Sequence, residues 1–163
     1  MKTLLLVRHA KSSWNDLTLS DFDRPLNGRG KEDAPQMAAR IKDKKIKIDL
    51  FVSSPAKRAK KTANIFMEIY NENKKNLVLI PSLYEASLLN FYNAIEIMDD
   101  KYNNIALFSH NPGITEFASS LTNFKIDNIP TSGVVAISIQ VKKWIDFKSA
   151  HKELLFFDFP KNN

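Results

Sequence analysis

The sequence predicts an α/β fold, a three-layer α/β/α sandwich around a mostly parallel central sheet. Short apolar segments alternate along the chain with longer stretches whose apolar residues recur at helical spacing. The first apolar segment, residues 4–7, has no polar face, which is typical of a strand buried on both sides of a parallel sheet. The 163 residues show no internal repeat and no linker, so we expect a single domain over residues 1–163.

The boundaries of the other elements are predicted from turn and capping residues as well as from periodicity. Asn27-Gly28 ends a polar loop and precedes a helix over about residues 30–44. Ser54-Pro55 separates a strand at 49–53 from a helix over about 56–73, because proline is favoured in a first helical turn. The later elements are a strand at 77–80, a helix at 90–101, a strand at 105–109, a helix at 114–121, and a hairpin of strands at 134–141 and 154–159.

Composition excludes several classes of function. The chain has no cysteine, which excludes disulfides and thiolate metal sites. No apolar run reaches the ~18 residues of a membrane span, and no signal peptide precedes the first strand, so we expect a cytoplasmic protein without a membrane partner.

The net charge of +6 comes mainly from lysine, with 19 lysines and five arginines. The lysines are spread over several segments and are not interleaved with aromatic residues, which favours solvated helix faces over a nucleic-acid site. In a chain that uses mostly lysine, an arginine is the stronger indication of a position that needs a planar guanidinium group.

Polar side chains suited to phosphate follow three separate strands. Arg8 and His9 end the first strand, Ser54 ends the second with Arg58 one helical turn later, and His110 ends the fourth. The carboxyl ends of parallel strands meet at one edge of a sheet, so we expect these residues to converge. Arginine offers bidentate hydrogen bonds to phosphoryl oxygens, and histidine offers a nucleophile or an acid–base group near neutral pH. A lone histidine at a strand end is more often structural, but two histidines and two arginines together indicate phosphate chemistry.

Further segments complete a pattern around these residues. In chain order they are LVRHAKSSW at 6–14, DFDRPLN at 21–27, RG at 29–30, SSPAKRA at 53–59 with TA at 62–63, LYEA at 83–86, SHNPG at 109–113 and PTSG at 130–133. The order and content resemble the histidine phosphatase superfamily, and most closely its SixA-like phosphohistidine phosphatase branch. Arg-His-Ala alone would be a weak signal, whereas the joint match over about residues 1–113 is strong. The resemblance implies a histidine phosphatase (phosphoglycerate mutase-like) fold.

The resemblance also implies a mechanism. His9 is then the nucleophile, which forms a phosphohistidine intermediate that water hydrolyses to release inorganic phosphate. Arg8, Arg58 and His110 neutralise the phosphoryl oxygens in the transition state. Since these residues supply the positive charge, we expect neither a metal nor another cofactor.

Three other residues are candidates for the site. Ser12 and Asn15 match positions that help to hold phosphate in the superfamily, and turn formation in the loop is the alternative for both. Glu85 follows the third strand, where many members carry the acid that protonates the leaving group; it could instead cap a helix or pair with a lysine. Asp21, Asp23 and Arg24 are interpreted as a structural network that holds the first loop, outside the site.

We therefore expect a metal-independent, monomeric phosphatase that acts on phosphohistidine in a protein partner. The chain has no long insertion to form a lid over a small substrate, which favours a protein-bound substrate and disfavours a mutase. A phosphatase of small phosphorylated molecules is one alternative. A non-catalytic phosphate-binding module on the same fold is another.

Overall fold

A six-stranded sheet forms the centre of the computed structural model, which describes residues 1–162. The strands are β1 (Lys2–Arg8), β2 (Leu50–Ser53), β3 (Leu77–Leu79), β4 (Asn104–Ser109), β5 (Val134–Ile139) and β6 (Lys152–Asp158). The α-helices are α1 (Gly28–Asp43), α2 (Lys57–Ile69), α3 (Leu88–Glu96) and α4 (Gly113–Leu121), and short 3₁₀ turns occur at Asp21–Asp23, Lys74–Asn76, Pro81–Leu83 and Trp144–Ser149.

The strands lie in the order β3-β2-β4-β1-β5-β6. The first four strands of the chain run parallel, whereas β5 pairs antiparallel with β1 and β6 antiparallel with β5. The predicted α/β architecture with a mostly parallel sheet and a final hairpin is confirmed. Because β1 lies between β4 and β5, its carboxyl end lies in the middle of one edge of the sheet.

Both faces of β1 are buried, as its unbroken apolar sequence predicts. Leu4 and Leu6 belong to the core that contains α3 and α4, whereas Leu5 and Val7 belong to the core that contains α1 and α2. All four side chains are fully buried. Successive side chains of a strand point to opposite faces, so one apolar run holds both helical layers to the sheet.

The helix ends differ from the sequence prediction, and the hairpin connection contains structure that the prediction did not specify. Helix α2 ends at Ile69 rather than near 73, because Asn71 adopts a left-handed conformation with φ of 56° and stops the helix. The connection between β5 and β6 is not a solvated loop. Its 3₁₀ turn buries Trp144 and Phe147 against the core beneath α3. Among residues 1–162, none of the helices combines the length and apolar character needed to cross a lipid bilayer.

Candidate active site

The carboxyl ends of β1, β2 and β4 bring the predicted residues to one edge of the sheet. His9 directly follows β1 and donates its backbone N–H to the carbonyl of Ser109 at 3.1 Å, which fixes it beside the end of β4. His110 follows Ser109, and the centroids of the two imidazole rings lie 5.0 Å apart. Ser54, after β2, donates its backbone N–H to Phe108 of β4 at 3.0 Å. Pairing of the parallel strands thus places groups that are distant in sequence side by side.

A cavity of about 230 Å³ opens at this edge, and we call it the anion cavity. Its lining is Arg8, His9, Lys11, Ser12, Trp14, Arg24, Arg58, His110, Asn111 and Thr131. Four of these side chains are cations and none is a carboxylate, so the cavity selects an anion. His9, Arg58 and His110 are each only 7% exposed. Their hydrogen bonds and charges therefore act in a largely water-free environment, where electrostatic interactions are stronger.

His9 is held in the tautomer that a nucleophile needs. Its Nδ1 lies 2.7 Å from the carbonyl oxygen of Ala10, and a carbonyl can only accept, so Nδ1 carries the proton. The lone pair is then on Nε2, which lies 3.4 Å from Nε of Arg58. Burial, together with the charges of His110, Arg58 and Arg8, lowers the pKa of His9 to about 3, against the opposing effect of the Ala10 hydrogen bond. His9 is consequently neutral at physiological pH, and the lone pair of its Nε2 faces the guanidinium of Arg58, from which it accepts a long hydrogen bond.

Arg58 is oriented by Asp21, a contact that the sequence analysis missed. The guanidinium of Arg58 donates to the backbone carbonyl of Asp21 at 2.6 Å and to its carboxylate at 2.9 Å. The same carboxylate accepts from the hydroxyl of Tyr84 at 2.6 Å and from Arg24 at 2.9 Å. The Tyr84 and Arg58 hydrogen bonds lower the pKa of Asp21 to about 2, so it is ionised at neutral pH. The network expected of Asp21, Asp23 and Arg24 exists, but it reaches into the site. Asp21 contacts Arg58 and Arg24 lines the anion cavity, so the interpretation that left these two residues out of the site is corrected.

Ser54 determines the tautomer of His110. The Ser54 hydroxyl is fully buried, accepts from the backbone N–H of Ala56 at 3.2 Å, and lies 2.8 Å from Nε2 of His110. Of the described residues, only His110 offers this hydroxyl an acceptor, so the hydroxyl donates to Nε2 and Nδ1 of His110 carries the proton. The opposite tautomer would leave the proton of the buried Ser54 hydroxyl without an acceptor.

The Nδ1 atom of His110 is buried and has no hydrogen-bond partner among residues 1–162, and the same is true of Nε of Arg8. Buried donors without an acceptor are costly, and both belong to residues that line the anion cavity. Burial, together with the charge of Arg58, lowers the pKa of His110 to about 4. His110 is therefore a neutral donor at physiological pH.

The structure places Ser12 inside the anion cavity and Asn15 outside it. Ser12 is buried, lines the anion cavity, and its hydroxyl accepts a hydrogen bond from Arg24. Asn15 is exposed and lines no cavity at the site, and its backbone N–H donates to the hydroxyl of Ser13 at 3.1 Å. The position of Asn15 does not support a phosphate contact. It forms a turn instead, the alternative that its sequence context left open.

Glu85 lies outside the anion cavity. It is exposed, has φ of 55°, and lines an adjoining outer cavity of about 510 Å³ that also contains Arg58 and His110. Glu85 thus lines a cavity that shares Arg58 and His110 with the anion cavity. Across residues 1–162, no three acidic or histidine side chains come together in the way that metal ligands do.

Comparison with known proteins identifies the family. The sequence model of the histidine phosphatase superfamily (branch 1) matches residues 4–117, which include Arg8, His9, Arg58 and His110. The chain belongs to the histidine phosphatase superfamily. The chain is 32% identical to an uncharacterised chloroplastic protein of Arabidopsis thaliana. The alignment spans 133 residues and covers 77% of the chain and 61% of that protein.

A second relative of the chain is a 2,3-bisphosphoglycerate-dependent phosphoglycerate mutase of Bartonella henselae. The identity is 31% over 86 residues, which cover 52% of the chain and 42% of the mutase. The chain therefore spans about three fifths or less of the length of these two relatives.

Solved structures confirm the fold. A protein histidine phosphatase SixA complexed with tungstate superimposes with a TM-score of 0.83 at 18% identity, covering 98% of both chains. A candidate SixA phosphohistidine phosphatase from Agrobacterium tumefaciens gives 0.81 at 24% identity, with the same coverage. A mycobacterial glucosyl-3-phosphoglycerate phosphatase complexed with VO₃ gives 0.72 at 15% identity, covering 98% of this chain and all of the other. The predicted phosphoglycerate mutase-like fold and the resemblance to the SixA-like branch are both confirmed.

Proposed function

We propose that this superfamily member is a phosphatase in which His9 is the nucleophile and phosphohistidine on a protein partner is the substrate. One observation carries the proposal. The lone pair of His9 Nε2 lies within a buried, carboxylate-free cavity, where it accepts a long hydrogen bond of 3.4 Å from the guanidinium of Arg58. A neutral imidazole among fixed cations can attack a phosphoryl group whose negative charge those cations balance.

In the first step, the Nε2 lone pair of His9 attacks phosphorus, and the bond from phosphorus to the substrate nitrogen breaks. The bonding electron pair goes to the leaving imidazole, which departs neutral when its other ring nitrogen carries a proton. His9 becomes a phosphorylated imidazolium, and its Nδ1–H continues to donate to the carbonyl of Ala10. Arg8, Arg58 and the Nδ1–H of His110 hold the three equatorial oxygens, where the transition-state charge is spread.

In the second step, water attacks phosphorus and the bond from His9 Nε2 to phosphorus breaks. The electron pair returns to Nε2, the water proton passes to phosphate or solvent, and inorganic phosphate is the product. The positive cavity stabilises both transition states, since both place extra charge on the same oxygens. By analogy with oxyanion donors in other enzymes, each donor contributes about 10²–10³ in rate.

Two features support a protein-bound phosphohistidine as substrate. The nitrogen–phosphorus bond is labile and needs less acid assistance than a sugar phosphate does. Asp21 is ionised and paired, so it cannot supply a proton, and Glu85 is an exposed carboxylate at the outer cavity. We propose that Glu85, when its carboxyl group is protonated, donates a proton to a leaving imidazole whose other ring nitrogen carries none. The outer cavity is wide enough, at about 510 Å³, to admit a side chain that projects from another protein.

The nucleophile is tested by rapid-quench turnover of para-nitrophenyl phosphate, comparing the native enzyme with His9→Ala. We expect an acid-labile, alkali-stable phosphoenzyme in the native enzyme and none in His9→Ala. His151→Ala is the matched control, because His151 is exposed and contacts only Glu153 among the described side chains. Full activity of His9→Ala would refute the mechanism.

The substrate is tested by comparing a phosphohistidine peptide with a panel of sugar phosphates. We expect kcat/KM to be highest for the peptide. Activity on sugar phosphates alone would assign the protein to small-molecule phosphatases instead. Tight binding of phosphate analogues without turnover of any substrate would make it a binding module.

A further inference from the structure

A third cavity, of about 370 Å³, lies between the start of α1 and the first turns of α2, and we call it the lysine groove. Its floor includes Pro25 and Leu26, and its walls carry Lys31, Lys57, Lys60 and Lys61. The four lysines are exposed, so their ammonium groups are free to reach a ligand. Within residues 1–162, no carboxylate forms an ion pair with any of them.

The placement of these lysines opposes the stability of the fold. Lys57, Lys60 and Lys61 lie in the first turns of α2, where the helix dipole is positive, and the first turn contains no acidic residue. They are spaced at i, i+3 and i+4, so they lie on one face and repel one another. A helix selected only for stability would carry acidic residues there. The charge pattern therefore indicates binding of an external anion.

The lysine groove and the anion cavity are lined by neighbouring residues of the same two segments. On α2, Arg58 points into the anion cavity while its neighbour Lys57 lines the groove. In the preceding loop, Arg24 lines the anion cavity and the next residue, Pro25, lines the groove. The rise of an α-helix is 1.5 Å per residue, so the lysines lie within about 5 Å of Arg58 along the axis of α2. The two cavities share no lining residue, so a ligand that occupies both must be long enough to pass around these segments.

We propose that the lysine groove binds a run of acidic side chains of the phosphorylated protein, adjacent in sequence to its phosphorylated residue; this inference rests on the function proposed above. Charge complementarity defines the partner, because four unpaired cations face a single groove. The apolar floor of Pro25 and Leu26 suits the backbone and methylene groups of a peptide. None of the described lining residues is aromatic, so the groove has no surface on which nucleic-acid bases would stack. The groove makes the enzyme selective for acidic sequence around the phosphorylated side chain.

The test uses two synthetic phosphohistidine peptides of equal length, one flanked by glutamates and the other by glutamines. Binding is measured by fluorescence anisotropy in the His9→Ala background, where the peptides are not hydrolysed. We expect the glutamate peptide to bind about tenfold more tightly, with the difference falling at high salt. The substitutions Lys57→Gln, Lys60→Gln and Lys61→Gln together should abolish the difference. The same triple substitution in the native background should leave turnover of para-nitrophenyl phosphate unchanged.

The control is a second triple variant, Lys47→Gln, Lys74→Gln and Lys75→Gln, which changes the net charge equally. These lysines are exposed and lie at the amino ends of β2 and β3, on the edge of the sheet opposite the site. We expect this variant to keep the preference for the glutamate peptide. Equal binding of the two peptides, or equal loss of the preference in both triple variants, would overturn the proposal.

Two further results separate this proposal from its alternatives. Binding of an oligonucleotide that depends on Lys57, Lys60 and Lys61, with no preference between the peptides, would assign the groove to nucleic acid and overturn the proposal. Preference for the glutamate peptide without its hydrolysis by the native enzyme would support the groove and reject phosphohistidine as the substrate.

Discussion

Replacing Ser54 by alanine should impair catalysis without touching any group that contacts phosphate in the proposed mechanism. The hydroxyl accepts from Ala56 N–H at 3.2 Å and donates to His110 Nε2 at 2.8 Å. Since Ser54 is fully buried, water does not take its place. The variant therefore loses one acceptor at the start of α2, and His110 is no longer confined to the tautomer with a proton on Nδ1.

The size of both effects follows from these contacts. An unsatisfied buried N–H and an unsatisfied ring nitrogen should lower the free energy of unfolding by about 2 kcal/mol, or about 4–8 °C in Tm for a chain of this size. Complete loss of one oxyanion donor costs about 10²–10³ in rate. Because His110 still spends part of its time in the productive tautomer, we expect kcat to fall by about tenfold to a hundredfold.

The assay combines kcat for para-nitrophenyl phosphate with ¹⁵N NMR of the His110 ring, which reports the tautomer directly. Ser54→Thr is the matched variant, because it retains the hydroxyl, and it should keep both the tautomer and most of kcat. A purely structural role would lower Tm in Ser54→Ala and leave the tautomer as it is. Native kcat together with an unchanged ring spectrum in Ser54→Ala would refute the reasoning.

Two further predictions concern charge. Asp21→Asn should lower kcat/KM by about tenfold, because Arg58 loses its charged partner, while Tm changes little, since the Asp21 side chain is 46% exposed; unchanged kinetics would show that Arg58 is oriented without it. Stability should be constant above about pH 6.5 and fall below it, because the unfolded state protonates both histidines near 6.5 whereas His9 and His110 titrate at about 3 and 4 in the fold. The loss at pH 5 is at most about 2 kcal/mol per histidine, measured as a shift of the urea midpoint, and a midpoint equal to that at neutral pH would contradict the assigned pKa values.

The sequence predicted the convergence of Arg8, His9, Arg58 and His110 because each follows a strand of a parallel sheet, where topology alone determines proximity. The same reasoning could not find the role of Asp21. Its contact with Arg58 crosses 37 positions and depends on the path of an irregular loop. No periodicity encodes such a path. The sequence did contain one signal for the role of Asp21, because an acidic residue in a loop is a natural partner for a buried arginine such as Arg58.

Helix ends and loop side chains were predicted less well for a related reason. The end of α2 depends on a single left-handed residue, Asn71, and asparagine only permits that conformation without requiring it. Asn15 and Ser12 lie in the same loop and looked equivalent in sequence. Only the folded loop, in which Arg24 reaches the hydroxyl of Ser12, separates the buried residue from the exposed one.

The buried donors of the site that lack a partner in the fold favour a ligand that carries negatively charged oxygens. A polar core residue usually has its partner within the fold, yet Nε of Arg8 and Nδ1 of His110 have none among the described residues. Burial and the charge of Arg58 also lower the pKa of Arg8, which shows that these cations are held together at a cost in free energy. A phosphoryl group offers acceptor oxygens to both donors and balances both charges. In the proposed mechanism, stability given up in the folded protein is recovered when an oxyanion binds, and it is recovered most fully in the transition state, where the oxygens carry the most charge.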